Sequence, residues 1–159
     1  MTQEEDLKYL KLAIENSLRS FEEGRFPAGA VVVKDGKVLS SEVSVPYPGL
    51  FHADSNALTK AFNQTGSLKG ATLYIGLESC LMCMGVAYWS GLRRIVYAIP
   101  KSQVSGDYYE THADTHALTE SFNEKIEMVH VPELEEEALQ VVKEWEKKYL
   151  LVSSAGKLQ

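Results

Sequence analysis

Apolar and polar positions alternate with two different periods along this chain. Leu7, Leu10, Ile14, Leu18 and Phe21 recur at helical spacing with charges between them, which predicts an amphipathic opening helix ending at Glu22-Glu23-Gly24. Residues 28–33 then form a short apolar, β-branched run, and Asp35-Gly36 follows. An Asp-Gly pair between two such runs predicts a tight hairpin, since the turn needs residues that tolerate positive φ. The return strand, from 38 to about 45, is more polar and is expected at a sheet edge. Pro46-Tyr47-Pro48-Gly49 forces a loop that delivers the chain to His52.

The period then alternates between helix and strand. Residues 53–62 have helical spacing, and 71–77 read as a buried strand. A second helix opens at the C-x-x-C of Cys80 and Cys83 and runs to about Gly91. Residues 94–99 form another apolar strand, stopped by Pro100. A polar, tyrosine-rich stretch precedes a short helix expected over 113–122 and a last strand over 126–131. Pro132 begins a final helix with glutamates at its start and lysines at its end, a polarity that suits the helix dipole. Five strands with interleaved helices predict an α/β fold, a three-layer α/β/α sandwich with one mixed five-stranded sheet. A single domain is expected over residues 1–152, with a small, polar, fraying tail over 153–159.

Composition narrows the function. The 159 residues suffice for one domain with a real core. A formal net charge of -6 argues against a broad electrostatic nucleic-acid surface. No stretch approaches the roughly 20 apolar residues that span a bilayer, and the acidic start has no apolar signal core, so no membrane partner and a cytoplasmic location are expected. Two cysteines in one C-x-x-C exclude a disulfide framework and suit a reducing compartment.

The chemistry sits in two short motifs, His52-Ala53-Asp54 and Glu78-Ser79-Cys80-Leu81-Met82-Cys83. Cys80 and Cys83 are i and i+3 at a helix start, so both thiols point to one side, and the helix N-terminus favours thiolate. A redox C-x-x-C or a pair of buried cysteines would give the same local pattern. His52, at another helix start, changes the balance: with it the two thiolates make a three-ligand zinc site with one position open for water, the arrangement of catalytic rather than structural zinc. Asp54 by itself is a common first-turn helix acid. Beside zinc-acidified water it has a better use, taking a proton and passing it to a leaving group.

These motifs resemble the cytidine/deoxycytidylate deaminase superfamily, whose pattern is H-x-E followed by P-C-x-x-C. The resemblance extends to Phe26-Pro27-Ala28-Gly29-Ala30-Val31-Val32-Val33 with Lys34-Asp35-Gly36, to Ala71-Thr72-Leu73-Tyr74, to Tyr88-Trp89, and to Arg94-Ile95-Val96-Tyr97-Ala98. It covers about residues 7–131 and points to the branch of guanine and cytosine deaminases that also holds tRNA adenosine deaminases. The resemblance implies a cytidine deaminase-like fold and zinc bound by His52, Cys80 and Cys83. It places Asp54 at the catalytic glutamate, one methylene shorter, and Ser79 where proline is usual. It implies that the backbone at Ala53 faces the reacting ring, that Trp89 contacts the base or serves as a core residue, that Ser44 stands near a substrate-holding asparagine, and that Asp107, with Tyr108, Tyr109 and Glu110, faces the substrate. It also implies a homodimer.

The leading expectation is zinc-dependent hydrolytic deamination of a small purine or pyrimidine base or nucleoside. One alternative is adenosine deamination in tRNA, which needs a basic path for which Arg93, Arg94 and Lys101 are the candidates. Another is a zinc-binding pseudoenzyme, motivated by the short Asp54. Finally, His112-Ala113-Asp114-Thr115-His116-Ala117-Leu118-Thr119 echoes residues 52–59, but no cysteine follows it, and coincidental helix-start composition is the expected explanation.

Overall fold

A computed structural model describes residues 2–46 and 49–150; the expected tail at 153–159 lies outside the described residues. Helix α1 (Gln3–Glu22) starts at Thr2, whose hydroxyl accepts from the Glu5 amide, and carries three acids in its first turn. Strands β1 (Gly29–Lys34) and β2 (Lys37–Val43) form the expected antiparallel hairpin. Its turn holds Asp35 and Gly36 at φ 51° and 73°, a pair that matches the right-handed twist of the strands.

Helix α2 (Ala53–Thr65) follows, then β3 (Thr72–Leu77), α3 (Leu81–Ser90) and β4 (Arg94–Ile99). The tyrosine-rich stretch forms two single 3₁₀ turns, at Lys101–Gln103 and Gly106–Tyr108. Helix α4 (Thr115–Thr119) is half the length expected from 113–122. Asp114 caps it by accepting from the Ala117 amide, so the helix cannot start earlier. Strand β5 (Glu127–His130) and a 3₁₀ turn at Pro132–Leu134 lead into α5 (Glu135–Tyr149).

The sheet order is β2-β1-β3-β4-β5, which puts the polar β2 at an edge as expected. β1 pairs antiparallel with β2 and β3, whereas β3, β4 and β5 are parallel. Alternate strand residues feed two cores. Val31, Val33, Tyr74, Val96 and Ala98 pack under α1 and α5. Ala30, Val32, Leu73, Ile75, Ile95 and Tyr97 pack under α2 and α3. Both faces of the central strands are covered, which explains their near-continuous apolar runs. At Gly29 the α1 backbone comes so close that an added Cβ would lie 2.5 Å from the Ser17 nitrogen and would strike the Ala13 carbonyl.

One ion pair ties α1 to the sheet. Arg94 grips Asp6 with two parallel bonds of 2.8 and 2.6 Å, and the buried Tyr74 hydroxyl donates to the same carboxylate at 2.8 Å. Burial pushes the Asp6 carboxyl up, but the bonds from Arg94 and Tyr74 outweigh it and hold the pKa below the usual carboxylate range. A depressed carboxylate pKa contributes stability above the unfolded value, about 3.9, and that contribution is lost as pH falls through the folded value. Asp6→Asn is expected to cost about 1–3 kcal/mol near neutral pH. Urea midpoints measured from pH 6 to pH 3 should fall more steeply for the natural chain than for the variant below pH 4.

Candidate active site

Two helix starts meet at one end of the sheet. His52 and Cys80 are the N-cap residues of α2 and α3; both have extended backbone, and neither side chain makes a capping bond. Their side chains are therefore free to turn outward at the carboxyl end of β3, where α/β sheets hold ligands. Cys83, one turn into α3, completes a cluster whose three donor atoms lie within 4.8 Å of one another.

The spacing of the donors tests the fit of a metal. His52 Nδ1 is 3.5 Å from Cys80 Sγ and 3.6 Å from Cys83 Sγ. With Zn–S about 2.3 Å and Zn–N about 2.0–2.1 Å, a tetrahedral ion separates its sulfur and nitrogen donors by about 3.6 Å. One imidazole and two thiols are also the soft donor set zinc prefers. The three residues fit zinc.

The contact with Cys83, against the opposing effect of burial and with the bond to His52 acting in the same direction, lowers the Cys80 thiol to about 6. Cys83 is pushed up by its contact with Cys80, by burial and by the Asp54 carboxylate to which it donates. Contact with Cys80 also raises His52. Asp54, 3% exposed in the first turn of α2, accepts from the Cys83 thiol at 2.9 Å and from the Ser55 amide at 3.2 Å.

These residues open onto a cavity of about 470 Å³. Among the expected site residues, Ser44, His52, Ala53, Asp54, Cys80 and Asp107 line it, and Cys83 lies behind Asp54. Trp89 does not line it. That side chain is 85% exposed on the outer face of α3, so neither the base contact nor the core position expected for it is realised within this chain. The preceding Tyr88 takes the inward position instead, packed edge-on against Phe122.

Of the far wall, the resemblance pointed only to Tyr108 and Tyr109. Phe26 packs edge-on against Trp145 of α5 at 5.0 Å and against Tyr108 at 5.2 Å, and Tyr149 continues the aromatic surface. Trp145 and Tyr149 stand at i and i+4 on α5, a spacing that by itself marks only a buried helix face. Arg25, at the end of the α1–β1 connection, carried no motif signal at all.

Residues 108–110 lace this wall to the rest of the site. The Tyr108 hydroxyl donates to Glu146 of α5, and the Tyr109 hydroxyl donates to the Glu78 carbonyl at 2.7 Å. Glu110 accepts from the Leu81 and Met82 amides, both at 3.2 Å, and so caps α3 in place of Cys80. Burial raises the Glu110 carboxyl, but these amide bonds outweigh it and the net shift is downward. Ser79, just before the first cysteine, has a buried hydroxyl with no partner among the described residues. The His112 echo binds no metal cluster among the described residues: its aspartate caps α4, and its His116 ring packs edge-on against Tyr97.

A fold of this layering with three zinc donors at two helix starts defines a metal-dependent hydrolase of the deaminase type. The family model for the cytidine and deoxycytidylate deaminase zinc-binding region matches residues 3–99, and the chain belongs to that family. It is 30% identical to a probable cytosine deaminase of Schizosaccharomyces pombe over 145 residues, 86% of this chain and 89% of the relative. It is 33% identical to the tRNA-specific adenosine deaminase of Bacillus subtilis over 136 residues, 81% of this chain and 80% of the relative. Guanine deaminase of Nitrosomonas europaea has the same fold, with a TM-score of 0.72 at 21% identity over 86% of this chain and 82% of that one.

The purified natural protein is expected to hold about one zinc per chain. His52→Ala and Cys83→Ser should each reduce that content toward zero by elemental analysis while the far-UV spectrum is kept. A metal-free protein with a reversible Cys80–Cys83 disulfide would instead mark a redox pair.

Proposed function

We propose that this protein hydrolytically deaminates a purine or pyrimidine base or nucleoside and releases ammonia. The observation that carries the reading is one shared cavity: His52, Cys80, the buried carboxylate of Asp54 and an aromatic wall all line the same space. Its size and lining suit a small ring system. Bound zinc supplies a water acidified to a pKa of about 7, hence a nucleophile at neutral pH. Asp54 takes the water's proton, passes it to the ring nitrogen and then to the departing ammonia. Its reach is about one bond, roughly 1.5 Å, shorter than that of a glutamate. Ser44, the Ala53 backbone and Asp107 line the cavity and are assigned as substrate contacts.

A small substrate is favoured over tRNA by the state of the candidate cations. Arg94 is held by Asp6 and Glu127, Arg93 lies over the Tyr88 ring and pairs with Glu124, and Lys101 donates to the Ala113 carbonyl. None is left to form a basic path of the kind that phosphate binding requires. No helix among the described residues is long and apolar enough to cross a membrane. Two free cysteines suit a reducing, cytoplasmic setting.

The reading includes a homodimer. Leu58, Phe62, Met82, Val86 and Trp89 line an apolar groove on the outer face of α2 and α3, and Leu81 is exposed beside it. An indole this exposed beside such a groove supports association through this face. Trp89→Asp is expected to shift sedimentation from dimer to monomer with zinc content unchanged.

Ammonia release from guanine, cytosine, adenine and their nucleosides tests the activity. Asp54→Ala should lower kcat by about 10²- to 10⁴-fold with zinc retained. An inert natural protein that Asp54→Glu activates would make this a retired site that keeps zinc for structure.

A further inference from the structure

One charged side chain on the cavity wall has no part in the mechanism above. Arg25 is the only lysine or arginine lining the cavity among the described residues. Its backbone is fixed: the Arg25 amide donates to the Ser20 carbonyl at 2.9 Å, and the Ser20 hydroxyl donates to the Phe26 carbonyl at 2.6 Å. Its side chain is fixed at one corner, where Nη1 donates to the Ser44 carbonyl at 3.1 Å. Ser44 is itself held, its amide donating to the Ala28 carbonyl at 3.2 Å and to the Ser20 hydroxyl at 3.3 Å. Glu23 approaches the same Nη1 from solvent at 3.6 Å, too far for a strong bond, and its own side chain is largely exposed. The Nε and Nη2 donors have no hydrogen-bond partner among the described residues. The guanidinium of this cavity-lining residue is therefore held through Nη1 alone, and the rest of its donor fork is unused among the described residues.

A guanidinium donates and never accepts. The group it recognises must be an acceptor, and on a planar amino-heterocycle the natural acceptor is a ring carbonyl. Cytosine and guanine share one arrangement: the amino-bearing carbon and a carbonyl carbon flank a single ring nitrogen. Adenine has no carbonyl. We propose that Arg25 is a specificity-determining residue that binds the ring carbonyl of an oxo-amino base, so that the cavity selects cytosine- or guanine-like rings over adenine-like ones. To this interaction Ser44 contributes its backbone carbonyl, which orients the guanidinium. The inference rests on the deaminase reading for the identity of the ring, and it concerns binding rather than turnover.

Equilibrium binding to the zinc-loaded protein tests it directly. Cytosine is compared with 4-aminopyrimidine, and guanine with 2-aminopurine; each second compound lacks the ring carbonyl and the ring N–H that goes with it, and the Arg25 variants assign the difference to the carbonyl. The natural protein should bind at least one carbonyl-bearing base about 10- to 100-fold more tightly than its partner, the discrimination expected of a hydrogen bond to a charged donor. Arg25→Gln retains an amide able to brace Ser44 but loses the charge and the fork, and Arg25→Ala loses both. The ratio should fall below about threefold in Arg25→Gln, the variant that keeps the brace, and in Arg25→Ala when that variant keeps its zinc. A ratio unchanged in Arg25→Gln, or no preference for the carbonyl in the natural protein, overturns the proposal. Ammonia release is read separately: its absence alongside carbonyl-selective binding would count against deamination and leave the role of Arg25 intact.

Discussion

The site depends on how closely α2 and α3 lie side by side over β3. Ala53, Ala57 and Ala61 form a small-residue stripe along α2, fully buried with Ala87 of α3 in the same core. Small side chains let the two backbones approach, so both helix starts open on one side of the same strand end. That closeness brings an N-cap histidine and an N-cap cysteine from segments 28 residues apart to 3.5 Å. A bulkier stripe would separate the helices and widen the donor spacing beyond what a single tetrahedral ion can bridge. Packing on the buried side of the helices is thus what makes metal chemistry available on the open side.

Within that frame the carboxylate and the guanidinium stand for two different tasks. Asp54 is positioned by the same first turn of α2 that positions His52, so acid and metal share one rigid element. Arg25 comes from the other side of the cavity, from the short connection between α1 and β1, where Gly24 turns at φ 79°. On the proposed assignments, chemistry and selection sit on separate pieces of backbone. A change in what is bound need not disturb how protons move.

Much of this was legible in the order of residues, for physical reasons that differ by element. The strand at 94–99 matches Arg94–Ile99 because β-branched residues bounded by Gly91 and Pro100 leave little freedom. The hairpin follows from Asp35-Gly36, since few pairs accept two positive φ angles in succession. The zinc donors could be read because metal ligation restricts residue type and spacing together. Trp89 could not be placed, because helical periodicity does not say which neighbour, if any, covers a face. Arg25 and Trp145 were invisible for a related reason. Arg25 is placed by its bond to Ser44 and Trp145 by its packing on Phe26, both tertiary contacts that nothing local records. The short α4 shows the limit of composition: Asp114 looks like a second His-x-Asp motif and serves as a cap.

Residues 108–110 make three consecutive attachments, to α5, to the end of β3 and to the start of α3. Such a strip behaves like a cross-stitch rather than a hinge. A designer wishing to exchange the 101–111 connection for one from a relative could not treat it as an independent module. Recontouring the aromatic wall would at the same moment uncap the cysteine-bearing helix. Substrate range and metal affinity are mechanically joined at three adjacent side chains, and remodelling one without the other would require replacing Glu110 as a cap elsewhere.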